Sequence, residues 1–124
     1  MENHELFPAI ERESIADIKK FQELKLQELL PYLKQHSPYY TKLFSENKID
    51  TERIKTIENI QHIPVTTKED LQKYNADFLC VYKSRIIDYI TTSGTLGDPV
   101  TFALTDKDLE RLAYNEAISF VCSG

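Results

Sequence analysis

Apolar positions along the chain change their spacing as it proceeds. From residue 15 to residue 33 they return every three or four positions, at Ile15, Ile18, Phe21, Leu26, Leu29, Leu30 and Leu33. That is the period of a helix with one buried face. Lys19, Lys20, Glu23, Lys25, Gln27 and Glu28 occupy the opposite face. Ser14 suits the N-cap, with Asp17 three residues on. Pro31 falls inside the pattern; it lacks a donor and crowds the Gln27 carbonyl, so a kink or a break is expected there. Ser37-Pro38 opens a second helix, whose Tyr39, Tyr40, Leu43 and Phe44 form an aromatic face suited to a core or a subunit contact.

Residues 45–66 read as short helical turns separated by breaks. Asp50 can cap residues 51–55 and Thr56 residues 57–61. Ile54, Ile57, Ile60 and Ile63 make a small apolar seam, which Pro64 ends. Thr67 caps a helix from Lys68 into Lys73, with Glu69 and Asp70 near its positive end. Lys68 reads more readily as a solvated surface lysine than as an anion contact. Ala76 to Tyr82 is apolar and suits a loop or short strand. The spacing then turns extended, over residues 86–92 and 100–104. Thr105 caps a last helix that runs through Leu109, Leu112, Ala113, Ala117 and Phe120, and capping accounts for Asp106 and Asp108 without a metal. The pattern gives an α+β fold: a mostly helical subdomain at residues 1–75, then a β-hairpin and a helix at residues 76–124.

Composition narrows the partners. The chain has 124 residues and a net charge of −5, from 20 acidic and 15 basic side chains. An acidic balance argues against nucleic acid and gives no attraction to an anionic membrane. Cys80 and Cys122 cannot make a disulfide framework; both sit in apolar runs and read as buried free thiols of a cytoplasmic protein. His4, His36 and His62 are scattered in polar surroundings and read as surface residues. Residues 1–13 read as an extended arm that lays Phe7 and Ile10 on a neighbour, or as a frayed terminus.

The stretch with chemistry is Thr91-Thr92-Ser93-Gly94-Thr95-Leu96-Gly97-Asp98-Pro99-Val100, between the two strands. It crowds four hydroxyls into five positions and holds two of the three glycines. Glycine lets backbone approach a ligand closely, and successive N–H groups with hydroxyls can form an anion nest. An ordinary hairpin loop has the same composition. The G-x-x-x-x-G-K-[ST] and G-x-G-x-x-G patterns are both absent.

This stretch resembles the phosphate-binding motif of the adenylate-forming enzymes, roughly Thr/Ser-Ser-Gly-Thr-Thr-Gly-x-Pro. Three further segments, in the family's order, resemble the phenylacetate–CoA ligase branch. They are Phe7-Pro8-Ala9-Ile10-Glu11-Arg12, Ser37-Pro38-Tyr39-Tyr40-Thr41-Lys42-Leu43-Phe44 and Ile63-Pro64-Val65-Thr66-Thr67-Lys68-Glu69-Asp70-Leu71. The resemblance implies an N-terminal piece, or natural remnant, of an ATP-dependent aryl- or acyl–CoA ligase of the phenylacetate catabolism type. Such an enzyme adenylates a carboxylic acid and passes the acyl group to coenzyme A, with Mg2+ riding on ATP. It implies ATP phosphate contacts from Thr92, Ser93, Gly94, Thr95 and Gly97, no catalytic side chain here, and a segment inactive by itself. Leu96 departs from the pattern by removing a hydroxyl, and Val100 stands where many adenylating enzymes carry lysine. The alternatives are an adenylyltransferase of the same fold, of the capsule-biosynthesis or deazaflavin-coenzyme type, and a non-catalytic helical module that forms a homodimer.

Overall fold

Three helices start with the same local device, a hydroxyl residue followed three positions later by aspartate. In the computed structural model, which describes residues 12–94 and 97–123, these are α1 (Ile15–His36), α3 (Lys68–Lys73) and α4 (Asp106–Cys122). At α1, Ser14 Oγ accepts from the Asp17 N–H at 3.2 Å. At α3, Thr67 Oγ1 accepts from the Asp70 N–H at 3.2 Å, and the Asp70 carboxylate accepts from the Thr67 N–H at 2.9 Å. At α4, the Asp108 carboxylate accepts from the Thr105 N–H at 2.8 Å and the Thr105 hydroxyl at 2.9 Å. Each device satisfies amides that the first helical turn leaves unpaired. It also gives Asp108 its role as a capping residue.

The second helix, α2 (Pro38–Glu46), is joined to α1 by one residue, Ser37. That serine is wholly buried. Its hydroxyl accepts from the Tyr40 N–H at 3.3 Å and donates to the Asp77 carbonyl at 3.0 Å. α2 ends with Lys48 in the left-handed region at φ 54°. The Ile49 N–H bonds the Phe44 carbonyl at 2.8 Å and the Lys48 N–H bonds that of Ser45 at 3.2 Å, a Schellman cap made without glycine. Ile49 is thereby turned back onto the core.

That core is Leu30 of α1, Phe44 of α2 and Ile54, ringed by Leu26, Leu33, Tyr40, Leu43, Ile49 and Ile63. Short 3-10 turns at Thr51–Arg53 and Ile57–His62 lie along α1. Gln27 donates to the Lys55 carbonyl at 3.0 Å, Glu23 accepts from the Ile57 N–H at 3.2 Å, and Lys19 pairs with Glu58 at 2.6 Å. Tyr39 stacks on Phe78 with centroids 4.0 Å apart, and Tyr40 meets the same ring edge-on. The aromatic face expected on α2 is therefore used inside the chain, against the 3-10 turn Asn75–Phe78.

Some expectations are corrected. α1 is not broken at Pro31: Leu30 and Leu33 on either side are held in or against the core, and Pro31 itself is exposed. Packing of the flanking turns outweighs the one lost backbone bond. Ile60 does not join the isoleucine seam and stays 43% exposed. Cys122 is exposed, because nothing described covers the far end of α4, and Cys80 is only half-buried; that burial pushes the Cys80 thiol up. Phe7 and Ile10 lie outside the described residues, as do Thr95 and Leu96.

β1 (Asp88–Thr91) and β2 (Thr101–Leu104) form a two-stranded antiparallel ribbon with Asp88 opposite Leu104 and Thr91 opposite Thr101. A 3-10 turn at Lys83–Arg85 leads into it. All of β1 is exposed, while Leu104 is buried. Ile87, Tyr89, Ile90 and Phe102 stay open on the ribbon, and Leu109, Leu112 and Phe120 on α4. Mostly helical architecture followed by a ribbon and a helix is the fold class expected from the sequence. No described helix is long and apolar enough to cross a membrane.

Candidate functional site

The loop between β1 and β2 is tied at its neck by Thr92. Its N–H bonds the Val100 carbonyl at 2.9 Å, and its hydroxyl oxygen accepts from the Val100 N–H at 2.9 Å. Thr92 thus closes the loop, and a ligand could use only its hydroxyl proton. The ribbon demands these partners for residues 92 and 100. Val100 is buried at the loop's base, so a charge at that position would have no water.

Both glycines of the loop are conformationally required. Gly94 has φ 64° and Gly97 has φ 134°. A Cβ at Gly94 would lie 3.1 Å from the Gly97 carbonyl oxygen and 3.2 Å from Pro99 Cδ, so the turn would have to give by a few tenths of an ångström to admit one. The Gly97 N–H reaches the Gly94 carbonyl at 3.4 Å, a long bond that gives way easily to a better acceptor. Ser93 is exposed at the tip. The structure thus places Ser93, Gly94 and Gly97 together at the tip and Thr92 at the neck.

Helix α3 holds this loop from the side, which sequence reading missed. Asn75, just past α3, donates to the Thr101 carbonyl at 2.8 Å, and Gln72 donates to that of Asp98 at 2.5 Å. Lys68 Nζ comes within 3.8 Å of where a Cβ on Gly97 would stand. Lys68 and Gln72, spaced i, i+4 on one face of α3, and Asn75 just past its end together meet the loop. That spacing was the available signal; what it faced, about a quarter of the chain away, was not readable. Between α3 and the loop's descending limb lies a groove of about 290 Å³, lined by Gln72, Asn75, Asp98, Pro99, Val100 and Thr101.

The cap of α3 depends on pH. The Thr67 N–H, then its hydroxyl, holds the Asp70 carboxyl below its ordinary value. Asp70 also meets the Tyr39 hydroxyl, whose pKa is raised, first by burial and then by that carboxylate. A carboxyl with a lowered folded-state pKa stabilises above the unfolded value, about 4, and loses this as pH falls through the folded one. Acidification below about pH 4 should therefore loosen α3, seen as lower amide protection, relative to the intrinsic exchange rate at each pH, over residues 68–75. Asp70→Ala should show that looseness at neutral pH; equal exchange in the two proteins at pH 7 would refute the cap's role.

No protein-family model matches the chain. Phenylacetate-coenzyme A ligase of Thermus thermophilus is 28% identical over 118 residues, which are 94% of this chain and 26% of that protein. Protein CapK of Staphylococcus aureus is 28% identical over 99 residues, covering 79% of this chain and 22% of its own length. The fold superposes on a crystal structure of 2-hydroxyisobutyryl-CoA ligase in complex with 2-HIB-AMP and CoA. The TM-score is 0.72 at 29% identity, over 81% of this chain and 22% of that one. The chain is thus similar, over most of its length, to acid–CoA ligases and to CapK. It spans about a quarter of the length of the curated relatives it matches. Its mostly helical architecture with a two-stranded ribbon and a last helix matches the N-terminal part of adenylate-forming enzyme structures.

Proposed function

We propose that the β1–β2 loop grips the β- and γ-phosphates of ATP, and that the whole protein carrying this chain is an ATP-dependent acid–CoA ligase. The observation that carries the reading is the loop tip. Two glycines at positive φ sit there beside the exposed Ser93, on a fold matched to a ligase holding an acyl-adenylate. In the reaction, a carboxylate oxygen attacks the α-phosphorus and the bond to the bridging oxygen breaks, releasing pyrophosphate. The thiol of coenzyme A then attacks the acyl carbon and AMP leaves. The loop's share is to meet the charge that builds on departing pyrophosphate with hydroxyl and N–H donors. That is stabilisation by position, and it needs no nucleophile from these residues. No cluster of three or more His, Cys, Asp and Glu side chains among the described residues could hold a metal. Magnesium would enter with the nucleotide, as its counter-ion.

Given ATP, coenzyme A and aryl acids, the whole protein should release pyrophosphate and form thioester, while residues 1–124 alone form no AMP. Ser93→Ala should slow pyrophosphate release by roughly a hundred- to a thousandfold, the cost of one lost donor to a developing anion. Failure of the whole protein to bind ATP would sink the reading. Adenylation unaffected by coenzyme A, with no thioester, would select an adenylyltransferase instead.

A further inference from the structure

We propose that the outward face of α1 docks a second copy of this chain, the two helices lying antiparallel about a two-fold axis. α1 is apolar on two sides. Leu26, Leu30 and Leu33 serve the core, and Glu23 and Gln27 bond the turns beside it. Phe21, Leu24, Leu29 and Tyr32 lie off the core and are 40%, 53%, 48% and 42% exposed. Lys25 and Glu28 stand among them. Phe21, Lys25, Glu28 and Tyr32 are spaced i, i+4, i+7, i+11, which is the seam of a helix that packs lengthwise on another helix. Leu24 and Leu29 flank that seam, one on each side. Scattered apolar side chains on a surface call for no explanation, but a contiguous stripe with a charged centre marks a contact.

The order of residues along the stripe says what the partner is. In a two-fold contact, whatever residue i meets must meet residue i in return. Turned antiparallel about the point between Leu26 and Gln27, the stripe meets itself in matching layers. Phe21 comes opposite Tyr32, and Lys25 opposite Glu28, each twice. Leu24 approaches its own copy along one edge, and Leu29 its own along the other. Rings thus lie on rings and ammonium on carboxylate. A parallel pairing would set Lys25 on Lys25 and Glu28 on Glu28, which like charge opposes. Lys25 and Glu28 already pair at 3.0 Å within one chain, with side chains 58% and 67% exposed, so docking joins two pairs into one ring of alternating charge. A charged layer in such a seam fixes register and direction at some cost in affinity. The helix itself is already ordered by the core, so association has only side chains to order.

Sedimentation equilibrium of the 124-residue chain over a wide range of concentrations is the test. The wild type should pass from monomer to dimer as concentration rises. Lys25→Glu and Leu24→Glu should each weaken the dimer about tenfold or more, because the two-fold axis counts every change twice. Both side chains are more than half exposed, so circular dichroism and the unfolding midpoint should stay as in the wild type. The swap Lys25→Glu/Glu28→Lys keeps the net charge at −5 and restores opposite charges across the seam, so it should recover the dimer. Lys34→Glu makes the same charge change on α1 at an exposed position off the stripe and should associate like the wild type. A chain that stays monomeric throughout overturns the proposal. So does a dimer indifferent to Leu24→Glu, an equal loss from Lys34→Glu, or a swap that fails to recover what Lys25→Glu loses.

Discussion

Phe44→Ala should cost about 3–5 kcal/mol, the usual loss when a buried aromatic is cut back to a methyl. Phe44 is 1% exposed, the largest side chain fully enclosed in the fold. It also supplies the carbonyl that receives the Ile49 N–H at the end of α2. The substitution therefore opens a cavity where α1, α2 and the Ile54 turn converge. Small domains have only about 5–15 kcal/mol to lose, so much of the chain's stability should go. Denaturant unfolding followed by far-ultraviolet circular dichroism measures it. Phe120→Ala is the control: Phe120 is 76% exposed on α4, and its truncation should change stability by less than about 0.5 kcal/mol. Equal losses from the two would mean that the centre of the fold lies elsewhere.

Gly94→Ala should damage the loop while sparing the core. At φ 64° an added Cβ would press on the Gly97 carbonyl and on the ring of Pro99. The left-handed conformation alone costs a residue with a Cβ about 1–2 kcal/mol. Neither neighbour is the loose end of a flexible side chain, so the turn must change shape. The expected result is a more than tenfold weaker response of the loop to ATP, with the unfolding midpoint of the helical part nearly unchanged. Titration and thermal denaturation of one sample separate these effects. Wild-type binding by Gly94→Ala would show that the tip's conformation does not matter to the ligand.

What the sequence disclosed was mostly local. Ser14, Ser37, Thr67 and Thr105 could be read as caps because each signal lies within four residues of its partner. The spacing of Leu26, Leu30 and Leu33 announced a buried face for the same reason. The loop was legible through its glycines, and both prove to need positive φ. The misjudgements are those in which distant chain decides. Pro31 is carried through a helix by the packing on either side of it. Lys48 enters the left-handed region although nothing about lysine favours that. Lys68 is exposed as read, but no local rule says that α3 will lie against a loop nearly thirty positions later. Cys122 was placed inside by its apolar neighbours, yet those neighbours find nothing described to pack against.

Six residues of helix do not hold together in water unaided. α3 persists because Asp70 fastens one end and because Gln72 and Asn75 hook the other onto residues 98 and 101. Its order is therefore on loan from the loop it supports. Whatever quiets the loop must also quiet α3, and whatever frays α3 must slacken the loop. Local melting and ligand capture then become two ends of one equilibrium.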